Sequence, residues 1–145
     1  MEVSPQCSLC QNGVESHTHL FFECCFSSAI WRQILARNGL DRPFLLFSQE
    51  LEWAVQNRGD KSLRDTIYKL SLAASIYVLW RERNLRIFQN KSRDVNGVTS
   101  EIFNSVRAKA SSWSTIKFSA HNRQICDTWL LDSSIFALSN SVHFA

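Results

Sequence analysis

The sequence predicts a mainly α-helical protein, with a small zinc-bound loop module packed on a bundle of about four helices. Three observations predict this fold. Apolar residues recur at helical spacing through the middle of the chain, most clearly over residues 61–90. Four Gly and two Pro in 145 residues are too few for a many-turned β-sandwich or a disordered chain, and a hydrophobic fraction of 45% suffices for a core. Cysteine and histidine cluster in the first two dozen residues, at Cys7, Cys10, His17, His19 and Cys24.

Taken as metal ligands, Cys7, Cys10, His19 and Cys24 form the pattern C-x2-C-x8-H-x4-C. Two thiols separated by two residues turn toward one point, and a histidine and a third thiol complete the four donors of a tetrahedral Zn2+ site. Asn12-Gly13 is a turn signal that returns the chain toward the ion. Phe21 and Phe22 are placed to pack beside the site and exclude water. Cys25 and His17 remain alternative ligands. The competing reading is a set of buried or redox-active cysteines. A thioredoxin-like C-x-x-C requires a βαβ pattern, which the sequence lacks.

Ser27 or Ser28 is a candidate cap for a first helix, with Ile30, Trp31, Ile34 and Leu35 on one face and Gly39 at its end. Residues 41–47 contain Pro43 and read as a loop anchored by Phe44, Leu45, Leu46 and Phe47. Ser48 opens a short helix to about Arg58, with Glu50 and Glu52 in a first turn whose dipole favours them. Gly59 and Asp60 break the chain. The longest helical pattern then runs from Lys61 to about Asn90, with Leu63, Ile67, Leu70, Ala74 and Tyr77 as its apolar stripe. Asp94 or Ser100 begins a further helix that presents Val98, Ile102, Phe103, Val106 and Ala110. After Trp113 the pattern weakens. The expected organisation is a zinc-binding module with the first helix over 1–40, a helical unit over 41–115 and a weakly patterned tail over 116–145.

The net charge of +3 is segregated. Residues 1–60 carry four Arg against seven acids, residues 61–125 carry twelve Lys or Arg against four acids, and residues 126–145 carry two acids alone. A basic central block favours polyanionic partners. On a helical projection, Tyr77, Trp80, Asn84, Ile87 and Phe88 share one side, predicted to face the core, while Arg83, Arg86 and Arg93 share the other, predicted to face solvent and to grip phosphates. The bland alternative is a solvated amphipathic helix. Asn84, on the apolar side, is expected to tie the helix to a loop carbonyl near the metal.

Two segments carry a family resemblance. Cys7-x-x-Cys10 with Glu15-Ser16-x-x-His19-Leu20-Phe21-Phe22-x-Cys24 and Ile30-Trp31, and downstream Trp80-x-x-Arg83-Asn84-x-Arg86-x-Phe88, resemble the zinc-binding domain that follows the reverse transcriptase in plant LINE-type (non-LTR) retroelements. The resemblance spans about residues 3–130. It implies an accessory region that holds RNA or single-stranded DNA beside the polymerase domain of a parent polyprotein. The paired aspartates of a polymerase metal site do not occur here, so the chain reads as a piece of such an element without catalysis of its own. A structural or protein-interaction module is the alternative function.

No Gly-rich phosphate loop or G-x-S-x-G elbow is present, and a three-thiol, one-imidazole site leaves no open coordination position. The chain opens without a secretory pattern, which predicts an intracellular, reducing setting where thiols favour metal. The longest apolar stretch, Leu70–Trp80, is 11 residues and too short to span a bilayer.

Overall fold

A computed structural model describes residues 6–43 and 45–137. The expected anchor Phe44 and the tail residues 138–145 lie outside the described residues. Five α-helices make up most of the fold: α1 (Cys25–Arg37), α2 (Phe47–Asn57), α3 (Leu63–Gln89), α4 (Val95–Ala110) and α5 (Ala120–Thr128), with a 3-10 turn at Ser133–Ile135. No strand is present among the described residues, and none of their helices is long and apolar enough to cross a membrane.

Local chemistry sets most of the boundaries. The first helix starts at Cys25, with Cys24 in extended backbone before it. Ser27, one of the two expected caps, is instead fully buried, and its Oγ accepts from the Phe22 N–H at 3.0 Å. At the other end, Gly39 adopts φ +72° and the Leu40 N–H reaches back to the Leu35 carbonyl. This is the glycine-terminated wrap that satisfies the last carbonyls of a helix. Ser62, Asp94 and Ser119 cap α3, α4 and α5 through side-chain acceptors. Helix α2 begins at Phe47 without such a cap, and Gln49 Oε1 accepts from the Leu46 N–H instead. Glu50 in its first turn is buried, not solvated. It takes a bidentate contact from Arg42 and single bonds from the Leu45 N–H and the Tyr68 hydroxyl.

Helix α3 is the spine. Its first half and the last turns of the antiparallel α4 enclose Leu63, Ile67, Val106 and Ala110 with Cys126, Trp129 and Ile135. A second cluster joins α1, α3 and the start of α4 to the cysteine-rich loop, through Leu20, Phe22, Ile30, Trp31, Tyr68, Leu79 and Ile102. Phe22 stacks on Trp31 at 4.7 Å, and Trp31 meets the Tyr68 ring edge-on. The cysteine-rich module is therefore part of the main core.

Residues 116–137 do not form a loose tail. Trp129 is buried and stacks on Phe103 at 5.2 Å, and Ile116 bridges Phe136 in parallel, its N–H donating to the Ile135 carbonyl and its carbonyl accepting from the Ala137 N–H. Helix α5 is polar and short, so hydrophobic periodicity gave no sign of it. Its Ser119 cap and the burial of Cys126 and Trp129 hold it.

The second half of α3 is turned about half a revolution from the orientation its hydropathy predicts. Val78, Leu79 and Glu82 are buried. Trp80, expected in the core, is 42% exposed, and Tyr77, Ile87 and Phe88 are 64%, 46% and 75% exposed. The residues facing inward must meet backbone polar groups of the metal loop, and charged side chains meet that need where aromatics cannot. Leu79→Ala is therefore expected to cost about 2–5 kcal/mol, as for core truncations, while Trp80→Ala costs less than about 1 kcal/mol, as for surface positions. Urea denaturation of the two variants checks the order. A larger loss for Trp80→Ala would restore the hydropathy-based phase.

Candidate metal centre

The loop from Gln6 to Val14 closes on itself. Gln6 and Val14 form an antiparallel bridge, the Cys7 N–H donates to the Gly13 carbonyl at 2.7 Å, and the Gln11 N–H donates to the Cys7 carbonyl at 2.8 Å. Gln11 takes the left-handed backbone (φ 59°) that reverses the chain, not Gly13 as the turn signal suggested. A Cβ at Gly13 would sit 3.0 Å from His19 Cε1, so a larger residue there would crowd the imidazole. The Asn12 N–H points at Cys10 Sγ at 3.4 Å, the kind of amide contact that stabilises a thiolate.

The second half of the site is an irregular turn over His19–Glu23. Ser16 Oγ accepts from the His19 N–H at 3.0 Å, and the Cys24 N–H donates to the His19 carbonyl at 2.7 Å. Between them Phe22 has φ 86°. A bulky residue at positive φ costs energy and persists only where its surroundings hold it. Here the burial of the ring against Trp31 and the bond to Ser27 hold it, and the strained turn brings Cys24 into one cluster with the imidazole. Phe21 and Phe22 are both buried beside the site, as expected.

These two turns bring Cys7, Cys10, His19 and Cys24 together, with one donor atom from each and all four within 4.8 Å of one another. Cys7 Sγ lies 3.9 Å from Cys24 Sγ, and Cys10 Sγ lies 3.2 Å from His19 Nε2. Cys7 and Cys24 are fully buried, and Cys10 and His19 are partly exposed. The alternatives His17 and Cys25 are exposed and outside the cluster. Burial pushes the Cys24 thiol up to about 12. Burial also opposes ionisation of Cys10, but hydrogen bonds from the Asn12 N–H, His19 and the neighbouring thiols outweigh it and lower Cys10 to about 6. Packed thiols of this kind share protons, and a cation at their centre removes the conflict by favouring every thiolate at once. The donor set fits a metal ion.

Three arginines of α3 and its following loop fasten this site to the helices. Arg83 makes a bidentate pair with Glu15, with both N···O distances at 2.9 Å. The Arg86 Nη1 donates to the Ser8 and Leu9 carbonyls inside the C-x-x-C turn, its Nη2 to the Arg93 carbonyl, and its Nε to Glu82. Arg93 donates to the same Glu82 from its backbone N–H and its Nε, and to Glu101 from Nη1. Glu82 is fully buried beneath them. The expectation that Arg83, Arg86 and Arg93 form an open solvent face is corrected: the fold occupies them with carboxylates and carbonyls. Asn84 does not tie the helix to the loop; Arg86 does, and Asn84 Oδ1 accepts from its neighbour Arg83. The signal for this arrangement in the sequence is Glu82, an acid one turn before Arg86.

The chain matches no family model, no curated protein and no solved structure.

Proposed function

We propose that the chain is a zinc-stabilised binding module, of the accessory kind that follows the polymerase in LINE-type retroelements, and that it binds single-stranded RNA or DNA without catalysing a reaction. The exposed aromatic row of α3 carries this reading. Tyr77, Trp80 and Phe88, with Ile87, stand within about 100° of one another on the helix, in the most basic part of the chain. Arg83 stacks on Trp80 at 4.8 Å from the ring centroid, and Arg81 and Lys91 nearby in the chain are exposed, Arg81 also donating to Glu101. Aromatic platforms beside cations suit unpaired bases and a phosphate backbone. The Glu15–Arg83 pair supports the family resemblance, because it joins the two segments on which that resemblance rests.

Zinc is the metal this reading assigns. Zn–S bonds of about 2.3 Å place tetrahedral sulfurs about 3.8 Å apart, close to the 3.9 Å between Cys7 and Cys24. Three thiolates and an imidazole suit zinc and leave no position for substrate water.

Fluorescence anisotropy with a labelled single-stranded oligonucleotide tests the reading. The zinc-loaded chain is expected to bind weakly and without sequence preference, more weakly as salt rises. Replacing both Trp80 and Phe88 with Ala is expected to reduce affinity at least tenfold, at about 1–3 kcal/mol per stacked base, with the fold intact. A second reading is favoured by the exposure of Ile87 and Val14 (46% and 61%), aliphatic side chains that do not stack on bases. In it, the same row docks on a protein surface such as the polymerase domain. Absence of oligonucleotide binding at low salt would leave that reading standing and remove the first.

A further inference from the structure

The ends of α1 and α2, the first turn of α3 and one face of α5 meet around an open cavity of about 280 Å³. Its wall carries Arg37, Arg58, Arg64 and His121, together with Asn38 and Gln124. One carboxylate, Asp65, pairs with two of these cations, Arg58 and Arg64. It takes the Arg64 Nε at 3.1 Å and the Asp60 N–H at 3.1 Å, while the Arg58 Nε stops at 3.6 Å, beyond hydrogen-bond reach. The Arg58 Nε is buried and makes no hydrogen bond, although the side chain is only 10% exposed. Its guanidinium lies over Trp53 and Tyr68, and its Nη1 reaches the Asn57 carbonyl. Burial, and then the nearby Arg64 charge, weaken its hold on its proton. Asp65 at 3.6 Å pairs with this buried guanidinium without a hydrogen bond, and a further anion meeting its unused donors would stabilise it. Arg37 spends Nη1 on the Thr128 carbonyl and stacks on Phe103, and the remaining edge of its guanidinium is open.

We propose that this cavity binds a phosphate group. Three arginines line the cavity, one internal carboxylate pairs with two of them, and guanidinium forks match phosphate oxygens. His121 and Gln124, both exposed on α5, supply further donors at the rim. The proposal stands on the cavity and does not depend on the aromatic row of α3. The occupant is either a small phosphate or a phosphodiester of a bound strand, since both present the same oxygens.

Thermal unfolding of the full, zinc-loaded chain in inorganic phosphate, against sodium chloride of equal ionic strength, tests the site. A ligand that binds only the native state at tenfold excess over its Kd is expected to raise Tm by about 3–6 °C. The comparison is made with Arg64→Gln/His121→Gln, whose side chains sit at the exposed rim, and with Lys109→Gln/Lys117→Gln, which remove charge elsewhere. The phosphate-specific rise is expected to vanish in the first and persist in the second. An equal rise in all three, no rise in the wild type, or an equal loss in both variants would overturn the proposal. Phosphorus NMR of the wild type with added dT10 then separates the sources: displacement of phosphate names the strand as occupant, and retention names a small phosphate, and either result upholds the site.

Discussion

Chelation of the metal is expected to unfold the first forty residues and loosen the core around Trp31. Structural zinc contributes on the order of 10 kcal/mol of apparent binding energy. Within the module the two turns have only a few backbone bonds and a phenylalanine at positive φ, and the contacts of Arg83, Arg86 and the Phe22–Trp31 stack are not expected to replace four metal bonds. Cys10→Ser is expected to abolish stoichiometric zinc, and Cys25→Ser and His17→Ala to retain it, because those two side chains lie outside the cluster. Metal analysis of the purified variants, with near-ultraviolet circular dichroism for the Trp31–Phe22 packing, reads both effects. Full zinc content in Cys10→Ser would remove the four-ligand assignment. Because thiolates bind the ion, zinc is also expected to leave as pH falls and protons compete for sulfur.

Glu82→Gln is expected to be the most damaging single change away from the metal. It leaves Arg86 and Arg93 without their shared, fully buried carboxylate, and stranding buried charge costs about 3–5 kcal/mol. The effect should reach the metal loop, since Arg86 also holds the Ser8 and Leu9 carbonyls. A drop in zinc affinity together with a lower urea midpoint is the expected signature; a urea midpoint unchanged from the wild type would show that the network is dispensable. Burial alone would raise the Glu82 pKa, but hydrogen bonds from Arg86, then from the Arg93 N–H and guanidinium, outweigh it and hold it below the usual carboxylate range. Its contribution is therefore complete above the unfolded-state value of about 4.3 and is lost as pH falls through the lower folded value. Part of the acid sensitivity of the wild type should be missing in Glu82→Gln.

The same network changes what charge reversal at Arg86 and Arg93 would report. On an open face, such reversals weaken a polyanion contact and spare the fold. Here they place carboxylates against Glu82 and Glu101, so lost binding in those variants would reflect unfolding. The side chains of the aromatic row and the rim of the α5 cavity are exposed, and they test binding without that confusion.

The metal cluster was legible in the sequence because ligand spacing is local: two residues between thiols, and four between imidazole and thiol, restrict the backbone before any tertiary contact forms. The cap at Asp94, the glycine end of α1 and the buried faces of α1 and α4 are local in the same way. Helix α5 was not legible, because its nine residues are mostly polar and their few apolar ones, Ala120, Ile125 and Cys126, make no helical period; the Ser119 cap and the packing of Cys126 and Trp129 hold it. The direction of α3 was not legible either. Hydropathy ranks arginine as a surface residue and tryptophan as a core residue, one side chain at a time. Tertiary structure reversed both, because the metal loop brings carbonyls and Glu15 to a helix that already carries Glu82. Groups of opposite charge and unmet hydrogen-bonding capacity, separated by as many as 78 residues, satisfy one another only when the chain is folded.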